Sequence, residues 1–233
     1  RRDEETGEPI VTSGNYVAVD SYDPGSVEKV ITISGALNEG VVTPDSYFEL
    51  TWRKQYDDEL LKHSHEHPTE PLAVAQILIE SSNIGTITVQ EQMGRFVHHD
   101  YMRAFGLGEK TELDFPGESA GIFKDADELW GSERVTVAYG QGMSSTPIQM
   151  AAAVNVIANG GEYVAPKMVS ETVGHDGSIT VMAPSETRRV VSETAAAQTA
   201  DMMRSVVCDG TATRAQVDGV TIAGKTGTAF KAA

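Results

Sequence analysis

Cysteine is nearly absent from this sequence: Cys208 is the single one in 233 residues. One thiol excludes an intramolecular disulfide and a cysteine-based zinc site. It leaves the compartment open, because exported bacterial proteins also go without disulfides. Basic residues are few, 18 Lys and Arg against 34 Asp and Glu, for a net charge of −16. So acidic a surface argues against nucleic acid or an anionic membrane face as the main partner. Long apolar runs are missing as well. The longest, Met150 to Ala158, is interrupted by Asn155 and falls short of the roughly 18 apolar residues that span a bilayer. No signal peptide opens the chain. It starts at Arg1-Arg2-Asp3-Glu4-Glu5 without an initiator Met and stops at Phe230-Lys231-Ala232-Ala233. It therefore reads as a fragment incomplete at both ends, with any membrane anchor outside it. What is present is a globular composition, 40% hydrophobic and 22% charged, enough for a core.

Residues 1–15 are polar with Gly7, Pro9 and Gly14, and read as loop. Asp23-Pro24-Gly25 is a turn, and from Ser26 to Leu37 the apolar residues Val27, Val30, Ile31 and Leu37 predict a helix buried along much of its surface, stopped near Gly40. Residues 43–71, with Pro44, Pro68, Pro71 and many charges, form an excursion. Leu72 to Glu80 predicts a short apolar helix running into Ser81-Ser82-Asn83. Ile87 to Phe105 predicts another, broken at Gly94, and glycine-rich Gly106 to Lys124 reads as loop. Val135 to Ala138 reads as a short strand. Thr146-Pro147 opens the clearest helix, with a Thr cap, Pro in the first turn, an alanine-rich body and Gly160-Gly161 at its end. Gly174-His175-Asp176-Gly177 between two β-prone runs signals a hairpin. Ala195 to Val207 is helical, and Val220 to Phe230 alternates like a strand despite Gly224 and Gly227. This mixture predicts an α+β chain, not a doubly wound sheet.

Three short stretches carry possible chemistry. In Ser26-x-x-Lys29, one helical turn brings a hydroxyl and an amine within reach of each other. Ser26 falls in the first turn, where backbone N–H groups are unpaired and the helix dipole favours developing negative charge. A lysine held against an apolar helix is pushed toward its neutral form and becomes a base. Ser81-x-Asn83, after a helix, consists of ordinary turn residues when taken alone. Lys225-Thr226-Gly227-Thr228 places a positive charge, two hydroxyls and a glycine-opened backbone edge together, a place for a carboxylate-ended peptide.

In the order S-x-x-K, S-x-N, K-T-G, these three make the set shared by serine β-lactamases and penicillin-binding proteins. The surrounding text, Tyr22-Asp23-Pro24-Gly25-Ser26, Ser81-Ser82-Asn83-Ile84-Gly85, Phe105-Gly106-Leu107-Gly108, Asp114-Phe115-Pro116-Gly117-Glu118, Tyr139-Gly140-Gln141-Gly142-Met143, Thr146-Pro147-Ile148-Gln149 and Ala223-Gly224-Lys225-Thr226-Gly227-Thr228-Ala229, resembles class B penicillin-binding transpeptidases from about Tyr16 to Phe230. The resemblance implies a single domain over 1–233 with a β-lactamase/transpeptidase-like fold: an antiparallel sheet flanked by helices, with an all-helical subdomain. It implies that Ser26 attacks the penultimate D-alanine of a stem peptide, that Lys29 takes its proton, that Ser81 relays a proton to the leaving D-alanine and that Asn83 holds the acyl side. Lys225 adds positive potential, Thr226 and Thr228 hold the terminal carboxylate beside Gly227, and the N–H groups of Ser26 and Thr228 form an oxyanion hole. No metal or cofactor is implied. The partners implied are peptidoglycan stem peptides, β-lactam antibiotics and the division or elongation machinery, at the extracytoplasmic face of the plasma membrane.

The sequence departs from the family at Glu28, a carboxyl where an apolar or amide residue is more usual. The family also continues past K-T-G with further strands, so the chain alone is expected to be poorly stable or inactive. A β-lactamase is the competing enzyme, but Leu37-Asn38 is the only Leu-Asn pair and Ser34 stands where its glutamate base belongs. A D,D-carboxypeptidase and a sensor that acylates once remain as alternatives. Elsewhere, His63-x-His65-x-His67 offers three imidazoles but reads as a solvated loop, and His98-His99 as a helix-surface pair. Cys208 reads as buried or half-buried and inert, Met150 and Met202-Met203 as core filling. The clusters at Asp3-Glu4-Glu5, Asp57-Asp58-Glu59 and Asp125 to Glu128 read as solvated faces.

Overall fold

The computed structural model describes Thr6 and residues 14–57, 59–63 and 66–228. Asp3-Glu4-Glu5, Asp58, His65 and the Ala229-Phe230 end of the expected last strand lie outside the described residues. In chain order the elements are α1 (Tyr16–Val19), a 3-10 turn (Gly25–Val27), α2 (Lys29–Asn38), β1 (Tyr47–Leu50), β2 (Arg53–Tyr56), β3 (Glu59–Lys62), β4 (Glu70–Ala73), α3 (Val74–Ile79), α4 (Asn83–Met93) and α5 (Arg95–Ala104). There follow α6 (Glu133–Thr136), α7 (Pro147–Ala158), β5 (Glu162–Val164), β6 (Glu171–Val173), β7 (Ile179–Val181), β8 (Thr187–Arg189) and α8 (Glu193–Cys208). The α+β expectation holds. The strands pair as four two-stranded antiparallel ladders, β1–β4, β2–β3, β5–β8 and β6–β7.

Helix α2 is the axis of the molecule. Beyond Lys29 it carries no charged residue, and every position from Lys29 to Leu37 is buried, as an element apolar all round must be. Helices α3, α4, α5, α7 and α8 pack around it. Val30, Ile31 and Ile33 share one core with Ile77, Leu78, Met102, Phe105, Met150, Val156, Met202, Met203 and Val206, so the methionines fill the interior as expected. Helix α7 also forms as read: Thr146 Oγ1 accepts from Gln149 N at 3.3 Å while Thr146 N donates to Gln149 Oε1 at 2.8 Å, a reciprocal cap. The expected break at Gly94 separates α4 from α5, and the 174–177 turn joins β6 to β7.

Several expectations fail. Leu72 and Ala73 belong to β4, paired with Phe48 and Tyr47, and the helix starts only at Val74. The β1 edge captures the first residues of that apolar run into its ladder. Val135 to Ala138, β-branched enough to suggest a strand, is helical instead, spanning the end of α6 and the 3-10 turn Val137–Tyr139. Among the described residues it pairs with no strand and is wedged against α2 and α4, so packing overrides propensity. Residues 221–228 run without a ladder among the described residues. An isolated bridge between Val217 and Val220 and one bond from Gly224 N to Met203 O hold them. A strand needs a partner edge, and two glycines weaken this one.

His98 and His99, expected on the surface, are 1% and 7% exposed. His98 Nε2 lies 2.9 Å from Thr32 Oγ1 and His99 Nε2 2.9 Å from Lys124 O, which satisfies both rings inside. Burial, reinforced by His99, pushes the His98 imidazole down to about 3, so it is neutral. Cys208, expected buried or half-buried, is exposed because it falls on the outer side of the last turn of α8. His63 and His67 pack edge to face with ring centroids 4.6 Å apart, a more ordered arrangement than a solvated loop. Asp57, Glu59, Asp125, Asp127 and Glu128 are exposed, as expected.

Candidate active site

A cleft of about 300 Å³ is lined by Gly25, Ser26, Glu80, Ser81, Asn83, Tyr139, Gln141, Thr211, Thr226, Gly227 and Thr228. Residues from all three predicted motifs therefore face one space, although more than 140 positions separate Asn83 from Thr226.

Each wall has a local cause. Ser26 is half-buried in the 3-10 turn at the mouth of α2, so its backbone N–H lies in the turn where donors are free of intrahelical partners. Gly25 adopts φ +56°, and a Cβ added there would come within 2.4 Å of Thr228 O. Its own N–H donates to Gly140 O at 3.1 Å. A Cβ on Gly140, at φ +79°, would lie 2.3 Å from Gly25 O. Two glycines thus let three backbone segments meet at the Ser26 turn. Ser81 follows α3 with φ +61°, a left-handed conformation uncommon for a non-glycine residue. It is held between Ser81 N→Leu78 O and the next amide, Ser82 N→Ile77 O. Ser82 Oγ then caps α4 by accepting from Gly85 N, which places Asn83 at the first residue of that helix.

Lys29 is fully buried, yet its amine nitrogen is partnered. Nζ donates to Ser81 O, to Asn83 Oδ1 at 2.7 Å and to Ser81 Oγ at 3.2 Å. It lies 5.9 Å above the ring of Tyr139. Burial, and secondarily the Lys225 charge, hold Lys29 well below the usual lysine range. Lys225 Nζ donates to Ser81 Oγ at 2.8 Å. Burial lowers Lys225 to about 8. The Ser81 hydroxyl therefore bridges two amines that burial makes less basic than an ordinary lysine, an arrangement through which a proton can pass. Thr226 Oγ1 lies 2.7 Å from Thr211 Oγ1.

Glu28, the departure noted in the sequence, turns away from the cleft. It is 0% exposed with neither carboxyl oxygen partnered, and burial raises it well above the usual carboxylate range. A neutral carboxylic acid is the form such a place tolerates. Sequence reasoning quoted Tyr139 and Gln141 without giving them a role, and it missed Glu80 and Thr211 altogether. Both of these sit in loops whose residue types carry no distinguishing signal.

Residues 2–233 match the penicillin binding protein transpeptidase domain. The chain is 33% identical over 234 residues to penicillin-binding protein PbpB of Mycolicibacterium smegmatis, covering 97% of this chain and 35% of that protein. It is 29% identical over 218 residues to a probable peptidoglycan D,D-transpeptidase PenA of Neisseria flavescens, covering 93% of this chain and 51% of that one. The crystal structure of penicillin binding protein 3 from Mycobacterium tuberculosis complexed with ampicillin superposes with a TM-score of 0.89 at 34% identity, over 93% of this chain and 49% of that one. The chain belongs to the penicillin-binding protein transpeptidase family, class B. It spans about a third of the length of its PbpB relative. Among the described residues no helix is long and apolar enough to cross a membrane.

Proposed function

We propose that this chain is the transpeptidase domain of a larger cell-wall enzyme, one that cross-links peptidoglycan through an acyl-serine intermediate. The observation that carries the reading is the pair of bonds on Ser81, one from Lys29 and one from Lys225, in the cleft that Ser26 and Thr226 to Thr228 line. Ser26 Oγ attacks the carbonyl carbon of the penultimate D-alanine as neutral Lys29 takes the hydroxyl proton. The N–H groups of Ser26 and Thr228 receive the oxyanion. Ser81 passes a proton to the nitrogen of the departing D-alanine, and Lys225 stabilises the developing charge. Asn83 holds the acyl side; Thr226 and Thr228, beside Gly227, hold the terminal carboxylate. An amine from a neighbouring stem peptide then attacks the ester carbonyl, forming the cross-link amide and restoring the Ser26 hydroxyl. A β-lactam enters the same way and leaves a stalled acyl-serine. The site of action is the outer face of the plasma membrane, in septal or elongating wall synthesis.

Intact-mass measurement after benzylpenicillin treatment tests the nucleophile. The full-length protein gains one ligand mass and its Ser26→Ala variant gains none; an adduct that persists on Ser26→Ala overturns the assignment. Peptide transfer to an added acceptor amine then separates a transpeptidase from a hydrolase.

A further inference from the structure

Thr211 is a cleft residue that the mechanism above does not use. It follows α8 through Asp209-Gly210, and the loop is pinned to both neighbouring elements. A Cβ at Gly210 would lie 2.6 Å from Ile79 O and 3.0 Å from Val206 Cα, so the backbone rests directly on the end of α3, two residues before Ser81. Ala212 N donates to Val206 O at 3.0 Å, and Gln216 Nε2 donates to Val207 O and Cys208 O, each at 2.9 Å. The Thr211 hydroxyl is delivered by a loop fixed to α8 and α3, and it meets Thr226 Oγ1 at 2.7 Å.

A hydroxyl has one hydrogen and two lone pairs. For Thr226 to donate to a ligand carboxylate, its hydrogen must point into the cleft, and its contact with Thr211 must then be one in which it accepts. Lys225 Nζ, 3.5 Å from Thr226 Oγ1 and 2.8 Å from Ser81 Oγ, is directed mainly at Ser81 and leaves that role to Thr211. Donation along Thr211 to Thr226 to carboxylate also polarises the second hydroxyl and strengthens its charge-assisted bond.

We propose that Thr211 is a positioning residue of the carboxylate subsite, donating to Thr226 Oγ1 so that the Thr226 hydroxyl is aimed at the terminal carboxylate of a D-alanyl peptide or β-lactam. This rests on the function proposed above and adds a selectivity device to it: the free carboxylate end is read by two hydroxyls in series.

The test compares benzylpenicillin with its methyl ester, taking the second-order acylation constant for each by stopped flow. Thr211→Val lowers the acid-to-ester ratio by about fivefold to tenfold, the loss expected for one neutral hydrogen bond of about 1 kcal/mol. Thr211→Ser keeps the wild-type ratio, and Thr211→Val adds no further loss in a Thr226→Val background. An unchanged ratio in Thr211→Val, or an equal loss toward acid and ester, overturns the proposal, since a purely structural role lowers both together. Full-length protein that acylates at Ser26 with an unchanged variant ratio sinks this inference alone; full-length protein that forms no Ser26 adduct sinks the function it rests on.

Discussion

Lys225 and Glu28 show how burial sets the chemistry of single residues here. With Lys225 lowered to about 8, the charge proposed to draw a carboxylate into the cleft is present below that pH and lost above it. Acylation by benzylpenicillin is therefore expected to fall along an alkaline limb near pH 8, and Lys225→Arg, which cannot deprotonate in this range, should carry the limb upward. A limb that stays in place in the arginine variant would contradict the assignment. Glu28 acts on stability in the opposite sense from a salt-bridged carboxylate. Its folded value is raised, so between the ordinary glutamate range and that raised value the folded state binds more protons than the unfolded one. Stability is then complete at acid pH and drains as pH rises. Glu28→Met should remove this slope and raise stability at neutral pH by about 1–3 kcal/mol, the cost of an unpartnered buried polar group. Urea denaturation at pH 5 and pH 8 measures both effects.

At the scale of elements, the cleft depends on close backbone approach more than on side-chain reach. Gly25→Ala must push Thr228 away, and acylation should drop at least tenfold, about 1.4 kcal/mol of barrier. Gly40, at φ +67° with nothing within 4 Å of its would-be Cβ, is the matching control. Gly40→Ala meets a similar left-handed penalty of about 1–2 kcal/mol and should lower the melting temperature while leaving acylation alone. Equal acylation losses in the two variants would show that strain, and not the Thr228 contact, is responsible. Helix α7 offers a cap prediction. Thr146→Ala removes the acceptor for Gln149 N and should cost about 1 kcal/mol of stability, read by thermal unfolding. Gln149 is the more consequential partner, because its side-chain amide also donates to Glu109 O and Ala120 O and so ties the glycine-rich loop to the helix.

Across the whole molecule, protection is unevenly distributed. Helix α2 is enclosed by five others, whereas residues 221–228 hang on few backbone bonds and the β6–β7 hairpin exposes Val173, Ile179 and Val181. Hydrogen exchange followed by mass spectrometry should find α2 amides the slowest, with 221–228 and the hairpin exchanging in the earliest time points. Protection in 221–228 equal to that of α2 would overturn this ranking. For the proposed mechanism, this would set the base Lys29 on the enclosed helix α2 and the nucleophile Ser26 in the turn just before it, facing a carboxylate-binding segment on one of the least protected stretches.

What the sequence by itself determined is local. Ser26 and Lys29 one turn apart, the Thr146-Pro147 cap with its closing glycines, the break at Gly94 and the 174–177 turn are each set by neighbours a few positions away, where backbone stereochemistry leaves few choices. The order of the three motifs pointed to one cleft because a family resemblance spans the chain, not because spacing alone requires it. Tertiary structure decided the rest. Packing against α2 and α4 turned Val135–Ala138 from strand to helix, the interior took in His98 and Glu28, and the α8 loop brought Thr211 to Thr226. These outcomes depend on surfaces assembled from distant segments, and no window of the sequence contains both sides of such a contact.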